Sequence, residues 1–163
     1  MQQPSNITLR PANSADVEAI ARVWHEAWGD GHTGNVPAEL HPYRTLEHFL
    51  ERVPQRIPNT TVAVDDSRIV GFVTIHDDEL EQIFVAAEAR GTGAASQLLR
   101  HGENEIAKRY PVAWLAVVAG NERALRFYAR AGWYDAGLIH YEAEIAGGTL
   151  AIPTRRYEKR VAT

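Results

Sequence analysis

The stretch Glu79-Leu80-Glu81-Gln82-Ile83-Phe84-Val85-Ala86-Ala87-Glu88-Ala89-Arg90-Gly91-Thr92-Gly93-Ala94-Ala95 decides how the chain folds. Leu80 to Val85 reads as a strand, and Gly91 to Gly93 lead into a helix with Ala95, Leu98, Leu99 and Ile106 on one face. N–H groups at a helix start lack intrahelical partners and carry the positive end of the dipole, and glycines let a phosphate approach without a Cβ in the way. The segment therefore has the makings of an anion site, although the same glycines also suit a plain tight turn. The third glycine of the dinucleotide loop and the Gly-Lys-Ser/Thr of the triphosphate loop are both missing, so neither of those loops fits.

Downstream, Ala113 to Val118 is a nearly unbroken apolar run, the pattern of a strand covered on both faces. A helix over Glu122 to Ala131 is closed by Gly132, and strands over about Trp133 to Glu144 and Leu150 to Tyr157 finish the chain. Upstream, Thr61 to Val64 and Ile69 to Ile75 form a hairpin around Asp65-Asp66-Ser67, and Ile7 to Leu9 is a short strand. Between them lie two helices. One starts near Asn13 to Asp16, carries the stripe Ile20, Ala21, Trp24, Ala27 and Trp28, and is broken by Gly29, Gly31 and Gly34. The other carries Leu46, Phe49, Leu50 and Val53 and is terminated by Pro54. The order predicts an α/β fold: a mixed sheet of about seven strands, antiparallel at its ends with a central parallel pair, flanked by about four helices.

At 163 residues and 45% hydrophobic composition, residues 1–163 read as a single domain with one buried core. No apolar run approaches a membrane span, and Met1 to Asn6 lack a secretion signal, so the expected location is cytoplasmic and no membrane partner is expected. Zero cysteines exclude disulfides, thiolate nucleophiles and cysteine-held metals. The net charge of −4 has the wrong sign for tracking nucleic acid and mildly favours a cationic substrate. Seven histidines are scattered without a paired metal-ligand spacing, so no metal is expected.

Arg90, Gly93 and Ala95 resemble the coenzyme A motif of the GNAT superfamily of acetyltransferases, Arg/Gln-x-x-Gly-x-Gly/Ala. A second block, Asn121-Glu122-Arg123-Ala124-Leu125-Arg126-Phe127-Tyr128-Ala129-Arg130-Ala131-Gly132-Trp133, is similar to the family's Asn-x-x-Ala-x-x-Phe-Tyr-x-x-x-Gly-Phe segment. The resemblance spans about Ile7 to Tyr157; at Ala86-Ala87 the chain departs from the acidic residue and proline common in the family. It implies an N-acetyltransferase that moves an acetyl group from acetyl-CoA to an amine of a small molecule or peptide, by direct attack in a ternary complex. The N–H groups of Arg90, Gly91, Thr92, Gly93, Ala94 and Ala95 would hold the diphosphate, the main chain of Ile83, Phe84 and Val85 would pair with the pantetheine arm, and Asn121 would touch the arm from the other side. The Val85 N–H would polarise the thioester carbonyl in a gap between the two central strands.

Chemistry adds requirements. An amine with a reference pKa of about 10.4 must lose a proton before attack, and a strand carboxylate is a frequent base in similar enzymes. Glu79 and Glu81 share a face; Glu81 is preferred as nearer the gap, while Glu79 beside Asp77-Asp78 also reads as a solvated turn residue. Tyr128 corresponds to the tyrosine that protonates the departing thiolate and would also lie against the cofactor. Trp24 and Trp28 read as core, and His32, His41 and Tyr43 lie in the stretch expected to form the acceptor wall. Two alternatives from other classes are a noncatalytic CoA-binding regulatory domain and a homodimer module built on the last strands.

Overall fold

A computed structural model describes residues 6–163, so of the Met1 to Asn6 segment all but Asn6 lies outside the described residues. The chain forms strand β1 (Ile7–Pro11), helices α1 (Val17–His32) and α2 (Leu46–Arg56), strands β2 (Thr60–Asp65), β3 (Arg68–His76) and β4 (Glu79–Val85), helix α3 (Ala94–Ala107), strand β5 (Val112–Val117), helix α4 (Glu122–Arg130), and strands β6 (Tyr134–Ile145) and β7 (Gly148–Arg160). The seven strands make one sheet in the order β1-β2-β3-β4-β5-β7-β6, in which β4 and β5 are parallel and every other neighbouring pair is antiparallel. The predicted architecture is therefore the observed one.

Each face of the sheet carries its own core. On one face α1 and α2 bury Ile20, Trp24, Phe49 and Val53 against Val62 and Phe72; on the other, α3 and α4 bury Leu98, Leu99, Ile106 and Tyr128 against Val73, Leu80 and Leu115. Fully burying each such side chain stabilises the fold by about 1.5–3 kcal/mol relative to exposure.

Three local readings are corrected. The α1 helix runs through Gly29 and Gly31 to His32, and the left-handed residue that comes after it is Gly34, at φ +84°. Tertiary packing offsets the roughly 1 kcal/mol helix cost of each glycine, and Gly31 is needed where it stands: a Cβ there would lie 2.7 Å from Asn121 Nδ2. Pro54 lies inside α2, which continues to Arg56. And β5 alternates: Ala113, Leu115 and Val117 are buried, while Trp114 and Ala116 are half-buried.

Strand β4 is irregular. The β3–β4 register pairs Thr74 with Gln82 and Ile75 with Leu80, which leaves Glu81 as the extra residue of a β-bulge. The bulge lets Leu80 and Ile83, three apart, both pack on the α3 side, while Glu81 and Phe84 reach the α1–α2 side.

Candidate active site

The parallel pair β4–β5 barely pairs. Its register is limited to Glu79 with Trp114, where the Trp114 N–H donates to Asp78 O at 3.0 Å and the indole Nε1 donates to Asp78 Oδ1 at 3.1 Å. Beyond that point the strands diverge, and a cavity of about 660 Å³ opens between them, bounded by β4 and β5, the end of α1, the start of α3 and helix α4.

The open edge of β4 faces this cavity. The Ala86 N–H donates to Val70 O on β3 at 2.8 Å, and N–H groups alternate along a strand, so those of Val85 and Ile83 point away from β3 into the gap. By the same alternation the main chain of Phe84 turns to Phe72 on β3, and Phe84 gives the gap its ring.

At the wide end of the gap, Gly91 (φ +79°) and Gly93 (φ +91°) both take the left-handed conformation that glycine adopts without penalty. A Cβ at either position would meet no protein atom within 4 Å, so conformation demands these glycines. Among the described residues the N–H groups of Gly91, Gly93, Ala95 and Ser96 have no protein acceptor, while those of Arg90, Thr92 and Ala94 are already taken within the turn. Thr92 stays outside the cavity lining: its hydroxyl donates to Ala89 O and accepts from the Ala94 N–H, stapling the turn shut. Arg90 reaches back to Asp30 on α1 at 2.8 Å, and Arg123 and Arg130 of α4 add two further cations to the lining.

Across the gap, Asn121 caps α4 by accepting the Ala124 N–H at 3.3 Å, which leaves Nδ2 without an acceptor among the described residues. Tyr128 is buried and lines the cavity, and its hydroxyl has no hydrogen-bond partner among the described residues. Burial pushes its pKa far above the ordinary tyrosine value, so the phenol keeps its proton.

At the narrow end the two strand carboxylates part company. Glu81 is held by Arg56 Nε at 2.7 Å and by Gln82 Nε2 at 2.9 Å. Glu79 is half-buried, in place of the solvated turn expected of it, and accepts a hydrogen bond from the Tyr141 hydroxyl. Burial raises its pKa above the usual carboxylate value, with Tyr141 opposing and Glu81 adding to the rise. His76, Glu79 and Glu81 bring ligand atoms within 4.8 Å of one another, and Glu81 there is already paired with Arg56.

The α1 end supplies the facing wall. Trp24 and Trp28 are core residues as expected, and they also line the cavity. His32 stacks on Trp28 with ring centres 4.9 Å apart, and its Nδ1 lies 3.0 Å from Trp28 O, a contact that calls for a donated proton. Burial first, and then Arg44, lower its pKa to about 4, so the ring is neutral near pH 7. Arg44, Arg52, Tyr141 and Thr154 complete this end. None carries a local motif: they meet here only because β6, β7, α2 and the segment before α2 converge.

No curated protein matches the chain in sequence. Solved structures match along nearly its whole length. An N-acetyltransferase from Staphylococcus aureus Mu50 is 23% identical with a TM-score of 0.70, covering 96% of this chain and 99% of that one. YncA, a putative acetyltransferase from Salmonella typhimurium determined with its cofactor acetyl-CoA, is 17% identical with a TM-score of 0.71, covering 96% of this chain and 95% of that one. The PaiA N-acetyltransferase from Thermoplasma acidophilum, in complex with coenzyme A, is 20% identical with a TM-score of 0.67, covering 95% and 99%. The family model described as Acetyltransferase (GNAT) family matches residues 18–133, from α1 to the Gly132-Trp133 that closes α4, and the chain belongs to that family.

Proposed function

We propose that this single domain transfers an acetyl group from acetyl-CoA directly to an amine. The observation that carries the reading is the divergence of β4 from β5, with N–H groups along one strand edge and at the start of α3 that are unpaired among the described residues, both facing one cavity. That cavity suits a long, thin substrate with an anionic end. The free N–H groups of Gly91, Gly93, Ala95 and Ser96, with Arg123 and Arg130 nearby, would hold the diphosphate. The Ile83 and Val85 edge would take the pantetheine amides as an added strand, with Asn121 Nδ2 opposite. The support from related proteins is that YncA and PaiA were determined with acetyl-CoA and coenzyme A.

In the chemical step the amine lone pair attacks the thioester carbon, and the negative charge on the carbonyl oxygen is met by a β4 N–H. Glu79, directly or through a water, takes the proton lost by the amine. Its raised pKa suits it to the role better than Glu81, whose carboxylate is committed to Arg56. The C–S bond then breaks, and the Tyr128 hydroxyl, without a partner among the described residues and kept protonated by burial, donates a hydrogen bond to the leaving thiolate, which takes up its proton from water. The chain has no cysteine to carry an acyl group, in keeping with direct attack in a ternary complex.

The test is release of free thiol from acetyl-CoA in the presence of an amine panel. Tyr128→Phe is expected to lower kcat by about 10²-fold or more while calorimetric affinity for acetyl-CoA stays nearly unchanged. Heat of binding without thiol release from any amine would mark a noncatalytic CoA-binding domain. No heat at all would overturn the reading.

A further inference from the structure

The narrow end of the cavity holds a cation that no carboxylate contacts among the described residues. Arg44 follows the helical turn Ala38–Tyr43, is only 8% exposed, and lines the cavity. Its Nη1 donates to Tyr43 O at 2.7 Å and to Glu144 O at 2.8 Å, both neutral carbonyls. Among the described residues no carboxylate pairs with it, and its Nε and Nη2 find no acceptor. The neighbouring arginines are provided for: Arg52 pairs with Glu144 at 3.0 Å, and Arg56 with Glu81 at 2.7 Å and Glu144 at 3.4 Å.

A buried guanidinium without an anion is costly, and proteins keep one chiefly where something else supplies the charge. Burial, with Arg52 and Arg56 facing it and Glu144 only partly compensating, lowers the Arg44 pKa to about 9. The cavity wall also holds buried polar atoms with no partner among the described residues: Arg52 Nη1, Gln82 Oε1 and Thr154 Oγ1, each on a lining residue. Unsatisfied groups gathered in one open cavity mark a place completed by a polar ligand. Their surroundings are apolar, with Trp24, Trp28, Leu40 and Ile152 forming the rest of the wall.

We propose that the acceptor is a small primary amine that carries a carboxylate, of the amino-acid class, and that the Arg44 guanidinium binds that carboxylate while the amine faces the thioester. The inference rests on the assignment of acetyl transfer to this cavity. It runs against the net charge of −4, which favours a cationic acceptor, because Glu81 and Glu144 are already paired with Arg56 and Arg52 and Glu79 accepts from Tyr141, while Arg44 on the cavity wall has no carboxylate partner among the described residues. A planar guanidinium with two free N–H directions matches a carboxylate in a way that an ammonium does not. The apolar wall would take the side chain.

The experiment compares matched sets with the full chain and acetyl-CoA, reading thiol release: leucine, leucinamide and isoamylamine; phenylalanine, phenylalaninamide and phenethylamine; and spermidine as a purely cationic acceptor. The expected result is a kcat/KM for the acids at least tenfold above that of their amides and decarboxylated counterparts. Arg44→Gln should raise KM for the acids at least tenfold with acetyl-CoA affinity by calorimetry retained, and Arg44→Lys should recover part of the loss. Equal or faster turnover of amides, decarboxylated amines or spermidine, or no turnover of any acid, overturns the proposal, and the wild-type comparison decides even if the variants fail to fold. Calorimetry on the same preparation keeps the two readings apart. Failure to bind acetyl-CoA sinks the enzyme assignment, whereas binding without a carboxylate preference sinks only this one.

Discussion

Glu79 and Glu81 stand two residues apart on one strand and face different electrostatic surroundings. Glu81 gives its charge to Arg56; Glu79 is pressed into the cavity wall, where the Tyr141 hydroxyl donates to it. A base works when deprotonated, so transfer catalysed through Glu79 should rise with pH through a pKa lying above the usual carboxylate value and fall below it. Glu79→Gln should remove that rising limb from the kcat/KM profile and lower the plateau by about 10²-fold, with little change in melting temperature. Glu81→Gln should behave in the opposite way. It leaves Arg56 short of a partner at a site where both side chains are about one-sixth exposed, at a cost of about 3 kcal/mol in stability. Profiles and melting curves of the two variants check both statements, and an unchanged acid limb in Glu79→Gln would remove Glu79 from the mechanism.

At the scale of elements, the join between β4 and α3 is set by backbone conformation and the seat of α3 by close packing, and two glycines separate these causes. Gly93 precedes α3 at φ +91° with open space around it, so Gly93→Ala strains the turn by about 1–2 kcal/mol without a clash. The strain falls on the N–H groups proposed to hold the diphosphate, and acetyl-CoA affinity should weaken several-fold by calorimetry. Gly102 lies mid-helix, where a Cβ would come within 3.0 Å of Ile75 and 3.1 Å of Leu80. Gly102→Ala should therefore leave stability within about 1 kcal/mol of wild type, the helix-propensity gain of about 1 kcal/mol being set against crowding of two side-chain ends, and leave cofactor affinity in place. The join itself was legible in the sequence because its signals are local: a short apolar strand, paired glycines and a helical stripe within one run. The elements of the whole sheet were legible for the same reason. The breaks in α1 and α2 were misjudged because packing against the sheet and against Asn121 outweighs local propensity at Gly29, Gly31 and Pro54. The acceptor end is legible only in part: the stretch through Trp24, Trp28 and His32 lines it as expected, but Arg44, Arg52, Tyr141 and Thr154 come from separate segments, and nothing in their immediate sequence reports that they converge.

At the scale of the molecule, the sheet is a continuous platform interrupted on one side of β4, and that interruption has an energetic cost of its own. Among the described residues, strand-edge N–H groups and the start of α3 are left unpaired, buried polar atoms stand without partners, and a cavity of about 660 Å³ separates elements that would otherwise pack. A ligand that fills the gap binds the folded chain and not the unfolded one, so it should stabilise by mass action. With acetyl-CoA at 100 times its dissociation constant the gain is about 2.7 kcal/mol, which for a chain of this size raises the melting temperature by roughly 5–10 °C. Because the proposed contacts at the wide end are with phosphates, desulfo-CoA, which keeps them, should give most of the shift, while pantetheine alone should give little. The increment should also shrink as salt is raised, since the arginines at the mouth are in reach of solvent. A melting temperature that acetyl-CoA leaves unmoved at millimolar concentration would mean that the divergence of β4 and β5 is a defect of packing and has no ligand to repair it.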